Sequence, residues 1–217
     1  LFEDNMLTRH EPIITKKKRG NHPFTRITFV PDFAKFGLEE LTQDIYELLE
    51  KRMYDLSACL PSNISVYFND NLIKYNNLEK YCKLYFPEIE HKDIVCEKVN
   101  ERWEVLVTPT PSDDHFQQVS FVNGIHTVKG GKHVDYVVNQ ITKKVAEQIK
   151  IKKRKAVKTN YIKDNLYVFI NCTIVNPSFD SQTKEYLVTR HDKFGSTCEV
   201  SEKFIEKLCK TELVDRV

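Results

Sequence analysis

The segment from Leu166 to Ile174 places the tightest constraint on the fold. Leu166, Val168, Ile170, Cys172 and Ile174 occupy one alternation of an extended chain, and Tyr167 and Phe169 occupy the other. Successive side chains of a strand point to opposite faces, so a run that is apolar on both alternations predicts a central strand covered on both sides. Such a strand requires flanking strands and a layer of structure over each face.

The rest of the chain contains candidates for those layers. Phe24 to Val30 carries Ile27 and Phe29 on one face and ends at Pro31-Asp32, which predicts a strand. From Leu38 onward, Leu41, Ile45, Leu48, Leu49, Met53 and Leu56 recur at helical spacing and predict a long amphipathic helix. Ile64, Val66 and Phe68 alternate into Asn69-Asp70-Asn71, short polar residues that tolerate the geometry of a hairpin turn. Trp103-Val105-Val107 and Val119-Ser120-Phe121-Val122 predict two further strands. Between His133 and Ile149, the stripe Val134, Val137, Val138, Ile141, Val145 and Ile149 predicts a second long helix, with Gly130-Gly131 just ahead of it. Ser201 can cap a final helix through Phe204, Ile205 and Leu208. The fold class is therefore α+β, a mixed β-sheet packed against long helices. Residues 1–23, with Lys16-Lys17-Lys18-Arg19-Gly20 and little periodicity, read as a connecting segment; residues 24–217 read as one domain.

Composition excludes several functions. The 33 basic and 31 acidic residues leave a formal charge of +2, so any nucleic-acid footprint must be local. No apolar stretch approaches the roughly 20 residues of a membrane span. The N-terminus lacks the basic start and apolar centre of a secretory signal, which predicts an intracellular protein. The six cysteines include no Cys-x-x-Cys pair and the seven histidines no His-x-x-x-His spacing, so reduced, packed thiols and no protein-bound metal are expected.

The candidate chemistry lies in three polar segments. Ser181-Gln182-Thr183-Lys184, on a loop released by Asn176-Pro177, can present an amide, a hydroxyl and a movable cation to a phosphate. Lys150-Ile151-Lys152-Lys153-Arg154-Lys155 extends the second long helix into a positive projection, read either as a solvated charge run or as a contact for DNA phosphates. Lys129-Gly130-Gly131-Lys132-His133 could hold an anion at a helix start, but a glycine turn that positions the helix is the reading adopted. A complete nucleotide cradle cannot be drawn. His126 and His133 occupy the positions where a phosphate loop around Gly131-Lys132 would need Gly and Ser or Thr. Asp113-Asp114-His115 follows Pro109-Thr110-Pro111-Ser112 and reads as a solvent loop rather than a catalytic cluster.

Several strings add a further reading. Thr28-Phe29-Val30-Pro31-Asp32-Phe33-Ala34-Lys35-Phe36, Arg102-Trp103-Glu104-Val105, Phe116-Gln117-Gln118-Val119-Ser120-Phe121-Val122-Asn123, Gly130-Gly131-Lys132-His133-Val134-Asp135-Tyr136-Val137, Phe179-Asp180-Ser181-Gln182-Thr183-Lys184-Glu185 and Phe194-Gly195-Ser196-Thr197-Cys198 stand in this order. Together they resemble the transducer segment of eukaryotic-type, cellular or viral, ATP-dependent type IIA DNA topoisomerases. The resemblance implies the transducer fold that accompanies GHKL ATPases as their second domain, with a left-handed βαβ crossover. It implies that Gln182, Thr183 and Lys184 touch the terminal phosphate of ATP, and that Lys150, Lys152, Lys153, Arg154 and Lys155 face DNA. It implies ATP with Mg2+ as cofactors of the parent enzyme, none of them bound by this segment alone, and a nucleophilic tyrosine in a later domain. Its implied partners are the enzyme's own N-terminal ATPase domain, a homodimer partner and double-stranded DNA, with no membrane. The expected location is the nucleus of a cell, or the host cytoplasm for a cytoplasmic DNA virus, whose proteins the richness in Lys, Asn and Tyr would suit. The alternative is a non-enzymatic basic-loop nucleic-acid-binding module without nucleotide coupling.

Overall fold

The structure is a computed structural model that describes residues 1–16, 23–111, 115–154 and 156–217. Residues 17–22, 112–114 and 155 lie outside the described set, and with them most of the Lys16–Gly20 run, Asp113, Asp114 and Lys155. The chain divides into two compact units, Leu1–Leu49 and Glu50–Val217.

The first unit opens with a hairpin of β1 (Phe2–Glu3) and β2 (Thr8–Arg9), paired antiparallel with Phe2 opposite Arg9. So short a pair leaves no periodic signal in residues 1–9. Asn5 Nδ2 donates to Asp32 Oδ2 at 3.0 Å, and Asp32 in turn caps a single 3-10 turn, Phe33–Phe36. The strand expected over Phe24–Val30 is absent among the described residues. Ile27 and Phe29 are 84% and 77% exposed. Alternation favours an extended chain, but a strand also needs a partner for its backbone hydrogen bonds, and none is supplied among the described residues. Helix α1 (Gln43–Cys59) starts five residues later than Leu38, and Thr42 Oγ1 accepts a hydrogen bond from Ile45 N at 3.4 Å. Its N-terminal half lies in the first unit, where Leu48 is 64% exposed; its buried residues are Asp55, Ser57 and Ala58. The apolar stripe read from the sequence is thus only partly covered.

In the second unit, α1 ends and a small hairpin follows, β3 (Tyr67–Phe68) and β4 (Asn71–Leu72). Asn69 and Asp70 have φ of 46° and 63°, the left-handed pair a two-residue hairpin turn requires. Ile64 and Val66 fall outside the strands, so the hairpin is shorter than the alternation suggested. Helix α2 (Leu78–Tyr85), capped by Asn77, leads to the sheet strands β5 (Val95–Asn100), β6 (Trp103–Pro109), β7 (Gln117–Val122) and β8 (Ile125–His126). The short β9 (Gly130–Gly131) then enters α3 (Lys132–Lys153), followed by α4 (Thr159–Asp164), β10 (Leu166–Cys172), β11 (Tyr186–Leu187), α5 (Glu202–Leu208) and α6 (Leu213–Arg216).

The main sheet has the order β5-β6-β10-β7-β8. The central position of β10 is the one the sequence demanded: it runs antiparallel to β6, with Val168 opposite Val107, and parallel to β7, with Val168 opposite Gln118. Its alternations feed two separate cores. Val168 and Ile170 join Val105, Val107 and the α3 stripe from Val134 to Ile149, together with Phe204, Ile205 and Leu208 of α5. Phe169 joins Leu106, Val119 and Phe121 against Leu78, Tyr81 and Cys82 of α2. Fully burying one such side chain stabilises by roughly 1.5–3 kcal/mol, so this three-layer stacking makes the sheet and α3 a rigid frame. The mixed sheet with long helices read from the sequence is the architecture found. All six cysteines are unpaired, and burial pushes the thiols of Cys82, Cys96 and Cys198 up to about 12, so they stay protonated at neutral pH.

Candidate functional site

The loop after β10 is built outward from that frame. Asn176, at φ 44°, and Pro177 turn the chain away from the sheet. Phe179 and Leu187 then form an antiparallel bridge, reinforced by Val188 N donating to Ser178 O at 3.0 Å and Asp180 N to Tyr186 O at 3.2 Å. Between them the tip closes as a turn, with Lys184 N donating to Ser181 O at 3.2 Å and Lys184 in the left-handed region at φ 60°. The Ser181 and Thr183 hydroxyls lie 3.0 Å apart, and Ser181 Oγ donates to Asp180 Oδ1 at 3.1 Å. The structure therefore brings Gln182, Thr183 and Lys184 together at an exposed tip. Lys184 Nζ lies 5.9 Å from the centre of the Phe179 ring, a cation-π distance that orders the ammonium without burying its charge.

The base of the loop is fixed to the start of α3. Strand β11 pairs parallel with β9, Tyr186 opposite Gly130 and Leu187 opposite Gly131. Gly131 has φ 141°, and a Cβ there would stand 2.5 Å from the backbone N and O of Leu187. Only glycine permits this approach. Lys129 completes the junction: its amide donates to Glu185 O at 2.9 Å, and its ammonium meets the Glu185 carboxylate at 2.5 Å. The pairing raises the Lys129 pKa through its hydrogen bond and charge contact with Glu185, and it offsets the acid nearest Lys184 in sequence.

Lys129-Gly130-Gly131-Lys132-His133 is thus a structural joint, as read from the sequence. His133 is wholly buried, with Nε2 3.2 Å from Thr127 Oγ1, which also lies 2.6 Å from Ser120 Oγ. Burial lowers its pKa from 6.5 to about 3, so the ring is neutral and offers no charge to an anion.

The basic run lies at the other end of α3. Lys150, Lys152 and Arg154 are exposed, and Arg154 ends the helix in the left-handed conformation at φ 52°. Lys153 is committed elsewhere: its Nζ donates to Val214 O at 3.1 Å and lies 4.0 Å from Asp215, which ties the end of α3 to α6. At 1.5 Å per residue along α3, Lys150 to Arg154 stand about 27–33 Å from the joint at Lys132. The Gln182–Lys184 loop, through its joint, and the basic run therefore stand at opposite ends of one helix. Sequence reasoning missed the Lys129–Glu185 pair, whose members lie far apart in the chain.

Chemically, the tip can donate hydrogen bonds and a positive charge to an anion presented from outside this chain. It is open on all but its anchored side, so another surface must complete any enclosed site.

A family model described as DNA gyrase B matches residues 68–217. The whole chain aligns with DNA topoisomerase 2 of Saccharomyces cerevisiae at 42% identity, and with that of Acanthamoeba polyphaga mimivirus at 46%, covering 16% and 17% of those proteins. The chain thus spans about one sixth of the length of these curated relatives. Among solved structures, the ATPase region of Saccharomyces cerevisiae topoisomerase II superposes with a TM-score of 0.75 at 43% identity, over 86% of this chain and 47% of that one. The ATPase and transducer domains of DNA topoisomerase II from Balamuthia mandrillaris give 0.70 at 37% identity, over 79% and 43%.

Proposed function

Because this chain belongs to the DNA gyrase B family, we propose that it is the transducer part of an ATP-dependent type IIA DNA topoisomerase, an enzyme that passes one DNA duplex through a transient double-strand break. One observation carries the reading. The Gln182-Thr183-Lys184 tip is clamped through Lys129, Gly131 and Leu187 to the start of a helix whose far end carries exposed cations.

On this reading Lys184 and Gln182 contact the terminal phosphate of ATP held by a preceding ATPase domain, with Thr183 as a third donor. The tip fits a terminal phosphate and no more. The base, ribose, inner phosphates and Mg2+ need residues of another domain. When the phosphate is present, Lys184 gains a charge-assisted contact, and only that difference in binding energy can bias the position of the loop. The rigid joint passes the displacement to α3 and so to Lys150, Lys152 and Arg154, which meet the phosphates of captured duplex DNA without reading sequence. Coupled to a homodimer partner, this movement closes the N-gate, in the nucleus of a cell or at the site of viral replication in the host cytoplasm.

The test is Lys184→Ala in the full-length enzyme. Loss of a charge-assisted contact of about 1.5–3 kcal/mol corresponds to a fall of roughly 10- to 150-fold in ATP turnover, with the fold intact. Unchanged ATPase kinetics would reject nucleotide sensing and leave a basic nucleic-acid-binding module without nucleotide coupling.

A further inference from the structure

The exposed face of α3 bears on a groove that the basic run does not explain. The groove, of about 750 Å³, is open and lies between the first three turns of α3 and the segment at Arg190-His191. Lys132, Lys143 and Arg190 line it, with the Tyr136 and His191 rings stacked 5.4 Å apart at 8° on its wall. Asp135 is the acid of its lining and lies 3.8 Å from Lys132; Asp192, next to the lining, lies 3.4 Å from Arg190. Lys143 has no hydrogen bond or ion pair among the described residues, whereas its neighbour Lys144 is spent on Val200 O at 2.8 Å and on Glu202 at 3.1 Å.

The helix repeat aligns these charges with the basic end. At 100° per residue, Lys132, Lys143 and Lys150 fall within about 20° of one another around the helix axis, and Arg154 within about 40°. All four are exposed. Glu147 is the acid between Lys143 and Lys150 near this face, so the stripe is positive but not uniform. From Lys132 to Arg154 the helix rises about 33 Å, close to the roughly 34–36 Å turn of duplex DNA. A duplex lying beside α3 would thus present backbone phosphates of equivalent orientation at both ends of the stripe. The two aromatic rings already stack on each other, which favours contact with backbone rather than with unpaired bases.

We infer that this groove, through Lys132, Lys143 and Arg190, is a second phosphate contact for duplex DNA, extending its path from the basic end of α3 along the helix to the joint that anchors the Gln182–Lys184 tip. The inference rests on the DNA-handling half of the proposed function, and its test separates the two. Binding of the 217-residue chain to a labelled random-sequence 40-bp duplex is followed by fluorescence anisotropy across salt concentrations. Lys143→Ala with Arg190→Ala lowers the slope of log K against log salt by up to about 1.8, from about 0.9 per lost phosphate contact, and Lys143→Arg keeps the wild-type slope. Both positions are exposed, and thermal melting checks that the variants remain folded. Lys150→Ala with Lys152→Ala, measured alongside, reports on the basic end by itself. A groove variant with the wild-type slope, beside a basic-end variant with a reduced one, overturns this inference and leaves the DNA reading standing. A chain that binds no duplex overturns both. A groove effect equally large on a 40-nucleotide single strand overturns the assignment to duplex.

Discussion

Lys129 and Glu185 are joined twice, through the backbone from Lys129 N to Glu185 O at 2.9 Å and through their side chains at 2.5 Å. One residue precedes β9 and the other precedes β11, so the double contact closes the open end of the parallel pair and fixes where Lys184, the next residue back along the loop, can stand. An exposed ion pair contributes little to global stability, so the value of this one lies in geometry.

That distinction gives the first prediction. Lys129→Ala and Glu185→Gln should leave the midpoint of urea unfolding essentially unchanged, because the backbone bond and the β9–β11 pairing persist. In the full-length enzyme either change should lower ATP turnover by a smaller factor than Lys184→Ala does. A stability loss as large as that of a core truncation would show that the pair holds the fold and not the tip.

Gly131 should tolerate no side chain. Gly131→Ala places a Cβ 2.5 Å from the Leu187 backbone and forces an L-residue to φ 141°. The backbone strain alone costs about 1–3 kcal/mol, before β11 is pushed off β9. Urea unfolding should show a lower midpoint, and limited proteolysis should cut within residues 179–186 sooner than in the parent. An unchanged midpoint would mean that the joint is not rigid.

His133 should make stability fall in mild acid. Its folded pKa, about 3, lies below the unfolded value near 6.5, so the unfolded state binds a proton that the folded state refuses. The contribution is complete above pH 6.5 and is lost progressively as the pH falls from there toward 3. Between pH 7.5 and pH 5 the loss from this one residue is about 2 kcal/mol, at 1.36 kcal/mol per unit below 6.5. Burial also lowers the pKa of His126, which acts in the same direction. His133→Gln should therefore be less stable than the parent at pH 7.5 and lose less on acidification, as read from urea unfolding at the two pH values. Parallel pH curves for parent and variant would refute the assignment.

What the sequence revealed about the fold follows from how each element is buried. Strand β10 was legible because both its alternations are apolar, and α3 because 22 residues give a helical stripe several repeats. The cap at Ser201 was legible as well, and its Oγ accepts from Phe204 N at 3.1 Å. Strand β5 was missed because it is an edge strand with charged Glu97 and Lys98 in its middle, and α2 because eight residues show barely two turns of periodicity. The Phe24–Val30 pattern misled because alternation reports an extended chain and not its partner. At the candidate site, Gln182, Thr183 and Lys184 could be singled out by residue type and resemblance, since they are contiguous. Their anchor could not, because Gly131, Lys129 and Glu185 meet only through the pairing of β9 with β11.

The basic run supplies the last prediction, because the structure divides residues that the sequence grouped together. All three lysines are exposed, but Lys153 donates its ammonium to Val214 O at 3.1 Å, while no hydrogen bond or ion pair among the described residues engages Lys150 or Lys152. Lys153→Ala should therefore cost stability, by about 0.5 kcal/mol given that the contact is half exposed, and should loosen α6 while leaving the salt dependence of duplex binding close to that of the parent. Lys150→Ala with Lys152→Ala should do the reverse, lowering the salt slope by up to about 1.8 with an unchanged melting temperature. The double variant should also weaken DNA stimulation of ATP hydrolysis in the full-length enzyme while sparing the rate without DNA, since these side chains lie about 27–30 Å along α3 from the joint that carries the tip. If Lys153→Ala alone reduced the slope as much as the double variant, the ammonium would have to leave Val214 to reach DNA, and the division drawn from the geometry would be wrong.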